Sequence, residues 1–389
     1  MRARDLGIVI GGGTPGPANA ITDVTGVRVG HRTLVRGEGS LRRGRGPVRT
    51  GVTVVLPHGD GVWTAPVFAG SHRLNGNGDV TGLEWLRESG QLTSPIGLTN
   101  SHSLGVVRDT FARIQATERS PDDLFWAIPV VAETWDGVLN DVNGFHLTEA
   151  HAEAAYAQAS DGPVGEGNVG GGTGMTCHGF KGGIGTSSRV VASAVGGWTV
   201  GVLVQANHGR RSRLVVNGAP VGREIDSDAV PLPVPPELMR SAGLVDEGAG
   251  SIIVVVATDA PLLAHQCNRL AQRTSLGIAR TGGTGEHTSG DFAIAFATGN
   301  RLVASDYGAV LPLTQPVHML SDTFIDPLFD AAVEATEEAI VNALVAAETM
   351  TGRDGVVAHA IPHDRLVQSL DGYGLRRSGR GSRGPVPGP

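Results

Sequence analysis

Short runs of β-branched and other apolar residues, each bounded by glycine or polar turn residues, predict β-strands along this chain. The predicted strands cover residues 51–56, 127–132, 189–195, 199–205, 213–216, 251–257 and 291–296. The run that follows Ser251 contains only Ile, Val and Ala. A short run without polar alternation is typical of a strand that is buried on both faces. The pattern therefore predicts a buried strand that begins at a serine.

Three segments carry helical patterns. One helix is predicted for the alanine-rich segment 148–160, and a second for 259–276, with Asp259 as N-cap and a proline in the first turn. The longest predicted helix spans residues 327–350 and is capped by Asp326. An apolar stripe follows this helix, interrupted by one small polar residue, Thr336, and it consists of Phe329, Ala332, Val333, Ile340, Ala343 and Leu344.

The order of these elements predicts a fold of the α+β class. Strands cluster in the middle of the chain and helices flank them in pairs, which differs from a strict βαβ alternation. The 389 residues include 58 glycines without a three-residue period, so tight turns are expected and collagen is excluded. We expect one structural domain over residues 1–375 and a flexible Arg/Gly/Pro-rich tail over 376–389.

Charge and cysteine content exclude several classes of protein. The net charge is −7 and no long basic run lies in the predicted domain, so a nucleic-acid partner is not expected. No apolar run approaches the roughly 20 residues of a membrane span, and no secretory signal is evident. The two cysteines cannot form a disulfide framework, which favours a reducing, cytoplasmic location.

The junction Gly250–Ser251 carries the most specific chemistry in the sequence. A serine hydroxyl is a weak nucleophile unless a base removes its proton. If the chain cut itself before Ser251, the freed α-amino group, with a pKa of about 7.7–8, would supply that base. Glycine at position 250 leaves the preceding carbonyl sterically open. An ordinary loop-to-strand boundary is the alternative interpretation of the same dipeptide.

Two further segments offer polar groups near predicted strand ends. Ser289 and Asp291 lie two residues apart at the start of a predicted strand, so their side chains would share a face. Asn207 follows the strand 199–205, where its amide could stabilise an oxyanion. Turn residues that bond their own backbone are the alternative in both segments.

Glu133 and Trp135 mark another strand end, which suits a cationic ligand group such as a free amino terminus. The alternative is a capped strand end with a core tryptophan. The glycine-rich stretch 165–186 is not a phosphate-binding Walker loop, and it contains Lys181, the only lysine of the chain. A specific role and a simple packed or solvated side chain both remain open for this lysine.

Neither a cofactor nor a metal is expected. The segment Gly11–Gly16 formally matches G-x-G-x-x-G, but Pro15 and Pro17 obstruct the helix that a dinucleotide site needs. The histidines show no HExxH spacing, and no metal site is predicted.

Several motifs together resemble the family of the L-aminopeptidase/D-amidase/D-esterase DmpA and the β-peptidyl aminopeptidases, including nylon-oligomer hydrolase relatives. They occur in the family's order over about residues 5–375. The matching segments are Gly12–Pro17, Ala132–Gly137, Gly170–Gly185, Val204–Gly209, Gly250–Ile253 and Ser289–Asp291.

This resemblance implies a four-layer αββα sandwich like that of N-terminal-nucleophile hydrolases. It implies autoproteolysis into an α chain of residues 1–250 and a β chain of residues 251–389, which assemble into tetramers of processed pairs. Ser251 would be the nucleophile, assisted by Ser289 and Asp291. Asn207 would hold the oxyanion, and Glu133 would receive the free amino group of the substrate.

Two positions depart from the family pattern. The family often has tyrosine where Trp135 stands, and some members carry glutamate where Asp291 stands. The expected function is that of a self-cleaving serine aminopeptidase or amidase acting on small peptides or amino-acid amides. The alternatives are hydrolysis of β- or ω-amino-acid oligomers at the same site, and a dinucleotide-binding oxidoreductase built on Gly11–Gly16.

Overall fold

The computed structural model describes residues 1–234, 250–304 and 312–376. Its strands are β1 Arg28–Arg36, β2 Val48–Leu56, β3 Val67–Gly76, β4 Gln91–Leu92, β5 Ile96–Asn100, β6 Val130–Thr134, β7 Thr176–Cys177, β8 Phe180–Lys181, β9 Gly183–Val190, β10 Thr199–Asn207, β11 Ser251–Thr258, β12 Gly290–Ala297, β13 Met350–Thr351 and β14 Val357–Ala358. Its α-helices are α1 Leu83–Ser89, α2 Leu104–Thr117, α3 Glu149–Ala157, α4 Val221–Glu224, α5 Ala264–Arg280, α6 Asp326–Ala346 and α7 His363–Gly372. Short 3₁₀ turns cover Ala3–Leu6, Ile21–Asp23, Val142–Gly144, Gly170–Gly172, Ser193–Val195, Arg211–Arg213, Asp322–Phe324 and Arg353–Gly355.

Two sheets form the inner layers of the fold. One has the strand order β1-β2-β5-β6, and the other has the order β4-β3-β12-β11-β10-β9. Helices α2 and α3 pack on the first sheet, while α5 and α6 pack on the second. This is the predicted αββα arrangement, and it places β11 inside the larger sheet between antiparallel β10 and parallel β12.

Alternation along β11 explains why its sequence is apolar at every position after the serine. Ile253 and Val255 belong to the core between the two sheets. Ile252, Val254 and Val256 belong to the core beneath α5 and α6. Successive strand residues point to opposite faces, so a strand covered on both sides has no solvent-facing position for a polar residue. The predicted buried strand is confirmed.

Three of the predicted strands need correction. The strand predicted for 127–132 is β6, which begins at Val130 and ends at Thr134. Residues 213–216 form no strand; a 3₁₀ turn ends at Arg213, and Val216 makes only an isolated bridge to Ala219. The strand predicted for 189–195 is the end of β9 and stops at Val190. The chain must reverse there to enter β10, and it does so through two glycines with positive φ, Gly196 at 117° and Gly197 at 71°.

The predicted helix caps are also wrong. Asp259 does not begin a helix; its carboxylate accepts a hydrogen bond from the Thr199 N–H at 2.7 Å, which fixes the start of β10. Helix α5 begins five residues later, where Gln266 Oε1 accepts the Leu263 N–H. Asp326 is the first residue of α6 and not its cap, and α6 ends at Ala346 because Ala347 is extended. All six residues of the predicted stripe on α6 are buried.

The predicted tail falls largely outside the described residues. Arg376 is described, and its guanidinium pairs with Asp371. Residues 377–389 lie outside the described residues. Among the helices that are described, none combines the length and apolar character needed to cross a membrane.

Candidate active site

Ser251 lies at the first position of a strand that is paired on both sides. It stands opposite Asn207 of β10 and opposite Gly290 of β12. Its side chain is almost fully buried, and its Oγ accepts a hydrogen bond from the Gly290 N–H at 3.1 Å. The ladder on either side therefore fixes the position of this hydroxyl.

The glycine before Ser251 is required by a close approach of two backbones. A β-carbon on Gly250 would lie 1.9 Å from the carbonyl oxygen of Asn207, where no side chain fits. Gly290 is confined in the same way, because its β-carbon would lie 2.4 Å from the Asn77 carbonyl oxygen. The peptide bond Gly250–Ser251 is thus held against β10, and residue 250 contributes no side chain of its own.

Ser289 and Asp291 come together as predicted from their spacing. The Ser289 hydroxyl donates to Asp291 Oδ1 at 2.6 Å, and Ile252 N–H donates to the same oxygen at 3.3 Å. Burial raises the pKa of Asp291 to about 6, opposed by the Ser289 and Ile252 hydrogen bonds and reinforced by the Glu286 carboxylate. These groups lie beside Ser251 because Asp291 and Ile252 are opposite each other in the β11–β12 pair.

The side-chain amide of Asn207 is held at both ends. Its Oδ1 accepts the Thr176 N–H at 2.8 Å, and its Nδ2 donates to the Trp135 carbonyl oxygen at 3.0 Å. The first contact fixes which end of the amide carries the donor hydrogens. Asn207 therefore presents an oriented N–H donor next to the start of β11.

A cleft with a volume of about 560 Å³ opens at this position. Its lining includes the Gly250–Ser251 junction, Glu133 and Trp135, together with Asn77, Gly78, Asp79, Ser101 and Thr288. Glu133 is 7% exposed and Trp135 is 41% exposed, so the glutamate forms the floor and the tryptophan a wall. The strand pairings place Asn207 and the Ser289–Asp291 segment beside Ser251, and Glu133 and Trp135 reach the same junction from the smaller sheet.

The cleft is acidic. Glu133 and Asp79 are the charged residues in its described lining, and both carry carboxylates. Glu133 accepts hydrogen bonds from the Asp79 N–H and the Ser101 hydroxyl. Asp79 and Ser101 were missed in the sequence, because neither lies near a predicted strand end. A buried carboxylate supplied with neutral donors is suited to bind a cationic group.

The glycine-rich segment has a structural role behind Asn207. Lys181 is fully buried, and its ammonium donates to the carbonyl oxygens of Gly172, Met175 and Gly182. Burial lowers the pKa of Lys181 to about 7. These contacts fold the turn that carries Thr176, the residue that orients Asn207. Lys181 is thus packed rather than solvated.

The structure contradicts the dinucleotide alternative. The N–H groups of Gly12 and Gly13 donate to the two carboxylate oxygens of Glu334, both at 2.9 Å. No α-helix opens from this loop; Thr14 instead forms a bridge to Val190, and the next element is the 3₁₀ turn Ile21–Asp23. The backbone groups that would bind a pyrophosphate are already bonded to a carboxylate, and the helix dipole that such a site requires is missing.

One cluster of metal-binding side chain types escaped the sequence analysis. Cys177, His178 and His208 are all buried and lie together, and His208 directly follows Asn207 in the chain. Their ligand atoms are within 4.8 Å of one another. Cys177 and His208 are 31 positions apart, so no short sequence motif contains the whole group.

A two-sheet sandwich with helices on both outer faces and a serine at the start of an inner strand is the architecture of an N-terminal-nucleophile-type hydrolase. The model of Peptidase family S58 matches residues 19–358. The chain therefore belongs to peptidase family S58, and it is a hydrolase of peptide or amide bonds with aminopeptidase relatives.

The relatives cover nearly the whole chain. "Beta-peptidyl aminopeptidase BapA" of Sphingosinicella microcystinivorans is 50% identical over 373 residues, which are 96% of this chain and 92% of the relative. A solved beta-aminopeptidase of Burkholderia sp. is 52% identical with a TM-score of 0.88, covering 97% of this chain and 100% of that one. The L-aminopeptidase D-Ala-esterase/amidase of Ochrobactrum anthropi is 44% identical with a TM-score of 0.86, covering 97% and 99%. Its description as a variant of the Ntn hydrolase fold confirms the predicted fold class.

Proposed function

We propose that this protein is a self-processing serine aminopeptidase that cleaves its own Gly250–Ser251 bond and then uses Ser251 as an N-terminal nucleophile. The observation that carries the proposal is the cleft itself. It combines a glycine–serine peptide at the start of a buried strand with a carboxylate that has no cationic partner among the described residues.

The processing step follows from the position of Ser251. Its Oγ attacks the Gly250 carbonyl carbon, and the hydroxyl proton passes to the departing Ser251 nitrogen. The Gly250 acyl group thereby moves from nitrogen to oxygen, and water hydrolyses the resulting ester. Asn207 is the donor proposed to stabilise the negative charge on the carbonyl oxygen. The products are residues 1–250 and a second chain that begins with Ser251.

Substrate turnover uses the same hydroxyl with a new base. The freed α-amino group of Ser251 takes the proton from Oγ and returns it to the leaving amine, and water then resolves the acyl-enzyme. Ser289 and Asp291 hold this constellation through their short hydrogen bond and the Asp291 contact to Ile252 N–H. In the cleft, Glu133 would bind the free amino group of the substrate and Trp135 would cover it.

The substrates proposed are small peptides and amino-acid amides with a free amino terminus. A second candidate is the hydrolysis of β- or ω-amino-acid units, which the names of the two similar β-aminopeptidases favour. Both candidates use one site, because a β-amino acid differs only by one methylene between the amine bound by Glu133 and the carbonyl attacked by Ser251.

We also propose a cytoplasmic location and a homo-oligomer of processed pairs. Both cysteines are free thiols and buried, as expected in a reducing compartment. Sedimentation of the purified protein would test the assembly, and a monomeric mass would contradict the tetramer implied by the family resemblance.

Denaturing electrophoresis with intact mass measurement tests the processing. We expect two chains of 250 and 139 residues (389 minus 250), the smaller beginning Ser-Ile-Ile-Val. Ser251→Ala should remain one chain without activity. A wild-type protein that stays intact on long incubation, yet hydrolyses amides, would overturn self-processing and leave the family activity standing.

Paired substrates test the chemistry of the substrate. Alanine p-nitroanilide and β-alanine p-nitroanilide compare the two amino acid classes, and N-acetyl-alanine p-nitroanilide serves as the control. Hydrolysis of the free amines without hydrolysis of the acetylated compound supports an aminopeptidase. Equal rates on all three would contradict the role given to Glu133.

A further inference from the structure

Three buried side chains near the end of β10 form a compact group of sulfur and nitrogen donors. Cys177 lies at the end of β7, His178 follows it, and His208 follows the last residue of β10. The distance from Cys177 Sγ to His208 Nδ1 is 3.8 Å, and the two imidazole centroids lie 5.2 Å apart. All three side chains are shielded from solvent.

The hydrogen bonds of the group leave nitrogen atoms unused. His178 Nδ1 lies 3.0 Å from the Arg210 carbonyl oxygen, which can only accept, so Nδ1 carries the proton and Nε2 carries a lone pair. Among the described residues, His178 Nε2 has no hydrogen-bond partner. A buried polar nitrogen is rarely left unsatisfied in a protein, so this lone pair indicates a ligand that the described protein atoms do not supply. His208 Nε2 also has no partner among the described residues, but His208 faces Cys177 with its Nδ1, so its Nε2 is not part of this ligand set.

The separation of the sulfur and one nitrogen fits a shared metal ion, and all three ligand atoms lie within 4.8 Å of one another. Metal–sulfur and metal–nitrogen bonds of about 2.3 and 2.0 Å place sulfur and nitrogen ligands roughly 3.5–3.7 Å apart around a common centre. The observed separation of 3.8 Å between Cys177 Sγ and His208 Nδ1 is close to that value. The Nδ1–H of His178 donating to a backbone carbonyl is the outer contact that usually fixes a metal-binding imidazole.

We propose that Cys177 Sγ, His178 Nε2 and His208 Nδ1 bind one soft, filled-shell metal ion, and that the surroundings favour monovalent Cu⁺. Binding forms a Cu–S bond as the Cys177 thiol releases its proton to solvent. The ion keeps its charge, so the step requires no oxidant or reductant.

Charge balance is the reason for choosing a monovalent ion. One thiolate and two neutral imidazoles neutralise Cu⁺ completely, whereas Zn²⁺ would leave one positive charge in a site closed to water. Two cations, Lys181 and Arg211, already act on this cluster, against the single carboxylate of Glu286. An unpaired charge in a buried site is costly. Thiolate and imidazole in a three-ligand arrangement also suit copper.

The site would join the two segments that orient the Asn207 amide. His208 is the direct neighbour of Asn207, and Cys177 is the direct neighbour of Thr176, which orients the Asn207 amide. The His178 N–H already donates to the His208 carbonyl oxygen at 2.7 Å. A bound ion would tie these segments together a second time and stabilise the folded state by mass action.

Anaerobic titration with Cu⁺ against the chromophoric chelator bicinchoninate tests the proposal on the purified protein. We expect one Cu⁺ per chain, and a loss of affinity of at least about a hundredfold in Cys177→Ser. The matched control is Cys267→Ser, because Cys267 is equally buried but has only the Phe68 carbonyl oxygen beside its sulfur. Binding that survives Cys177→Ser, or is lost in Cys267→Ser, would overturn the assignment.

X-ray absorption of the copper-loaded wild-type protein needs no variant and remains informative if Cys177→Ser fails to fold. One sulfur and two nitrogen neighbours are expected. Two sulfur neighbours, no stoichiometric binding, or tighter binding of Zn²⁺ than of Cu⁺ in a parallel titration would each contradict the proposal. His31→Ala adds a control, since His31 also has a buried Nε2 without a partner but belongs to no such cluster within the part of the chain that the structure describes.

Discussion

The carbonyl oxygen of Asn207 occupies the space that a side chain on Gly250 would need. A β-carbon there would lie 1.9 Å from that oxygen, so Gly250→Ala must push β11 away from β10. We expect the self-cleavage rate to fall at least about tenfold, because attack on a carbonyl is sensitive to displacements of about 1 Å. Gly105→Ala is the matched control, since nothing lies within 4 Å of its β-carbon position. Pulse-chase electrophoresis measures both rates; equal rates would contradict the role of this approach.

Loss of the Asn207 amide should slow turnover without abolishing binding. Asn207→Ala removes the N–H donor that Thr176 orients. Removing one oxyanion donor typically costs about 10²–10³ in kcat. Steady-state kinetics on a free amino acid anilide, with kcat referred to the processed fraction of each protein, checks the effect. Asn168→Ala is the control away from the cleft, since its amide donates to the Glu348 carbonyl oxygen. A rise in KM with kcat unchanged would place Asn207 in substrate binding instead.

Glu133→Gln should separate substrate recognition from self-cleavage. The amide can still accept the Asp79 N–H, but it cannot pair with an ammonium group. We expect kcat/KM on free-amine substrates to fall about 100-fold, as for the loss of a charge-assisted contact of 2–3 kcal/mol. Processing should proceed at its normal rate, because the precursor presents no free amine there. A defect in processing as large as the one in turnover would point to a structural role.

The fall of the self-cleavage rate at low pH should reflect the protonation of Asp291. Its pKa is raised to about 6 by burial, so lowering the pH through 6 protonates the carboxylate that accepts the Ser289 hydroxyl. The precursor has no free Ser251 amine to contribute a second titration. We expect the processing rate of protein made by cell-free synthesis to decline below about pH 6. Asp291→Asn should be processed more slowly and should not show this decline at low pH. A decline that persists unchanged in Asp291→Asn would assign the titration to another group.

The same raised pKa predicts a dependence of stability on pH. The folded state holds the Asp291 proton more tightly than the unfolded chain does. The associated stabilisation is therefore complete below the usual carboxyl range and is lost as the pH rises through about 6. In the uncleavable Ser251→Ala background, Asp291→Asn should remove this loss. Denaturant unfolding at several pH values measures it, and a parallel pH profile of the two proteins would contradict it.

A buried ion-pair network supports the helix side of the larger sheet. Arg189 pairs with Glu338 at 2.7 Å and with Glu334 at 3.0 Å. The side chains of Arg189 and Glu338 are almost fully buried. Glu338→Ala leaves a buried guanidinium without one partner, so we expect unfolding to become easier by about 3–5 kcal/mol. Glu84→Ala, which breaks an exposed pair with Arg87, should change stability by less than about 1 kcal/mol. Chemical denaturation of both variants in the uncleavable Ser251→Ala background tests the difference.

Strands could be predicted most reliably where both faces of the strand are buried, because every position is then apolar. The run after Ser251 is apolar because both faces of β11 are covered, and its strand could be placed from composition alone. β1 could not be, because it lies at the edge of its sheet and carries polar side chains at its exposed positions. Helix α2 also escaped prediction. Residues 213–216 have the composition of a strand but form a turn. The local pattern of residues cannot distinguish a buried turn from a short strand.

The site residues were found through their order along the chain, and their roles remain proposals. Ser289 and Asp291 could be paired from a two-residue spacing. Asp79 and Ser101 could not, because they reach Glu133 only through the packing of loops from different strands. Cys177 and His208 likewise meet only because β7 folds back against the end of β10.

The pairing of β11 on both edges sets an order of events. A break before Ser251 would place β10 on one chain and β11 and β12 on the other, with one continuous ladder across both. The two pieces would stay assembled, but reassembly after complete unfolding would become a meeting of two molecules rather than the closing of one loop. Folding must then precede cleavage, and cleavage would make that folding a one-time event.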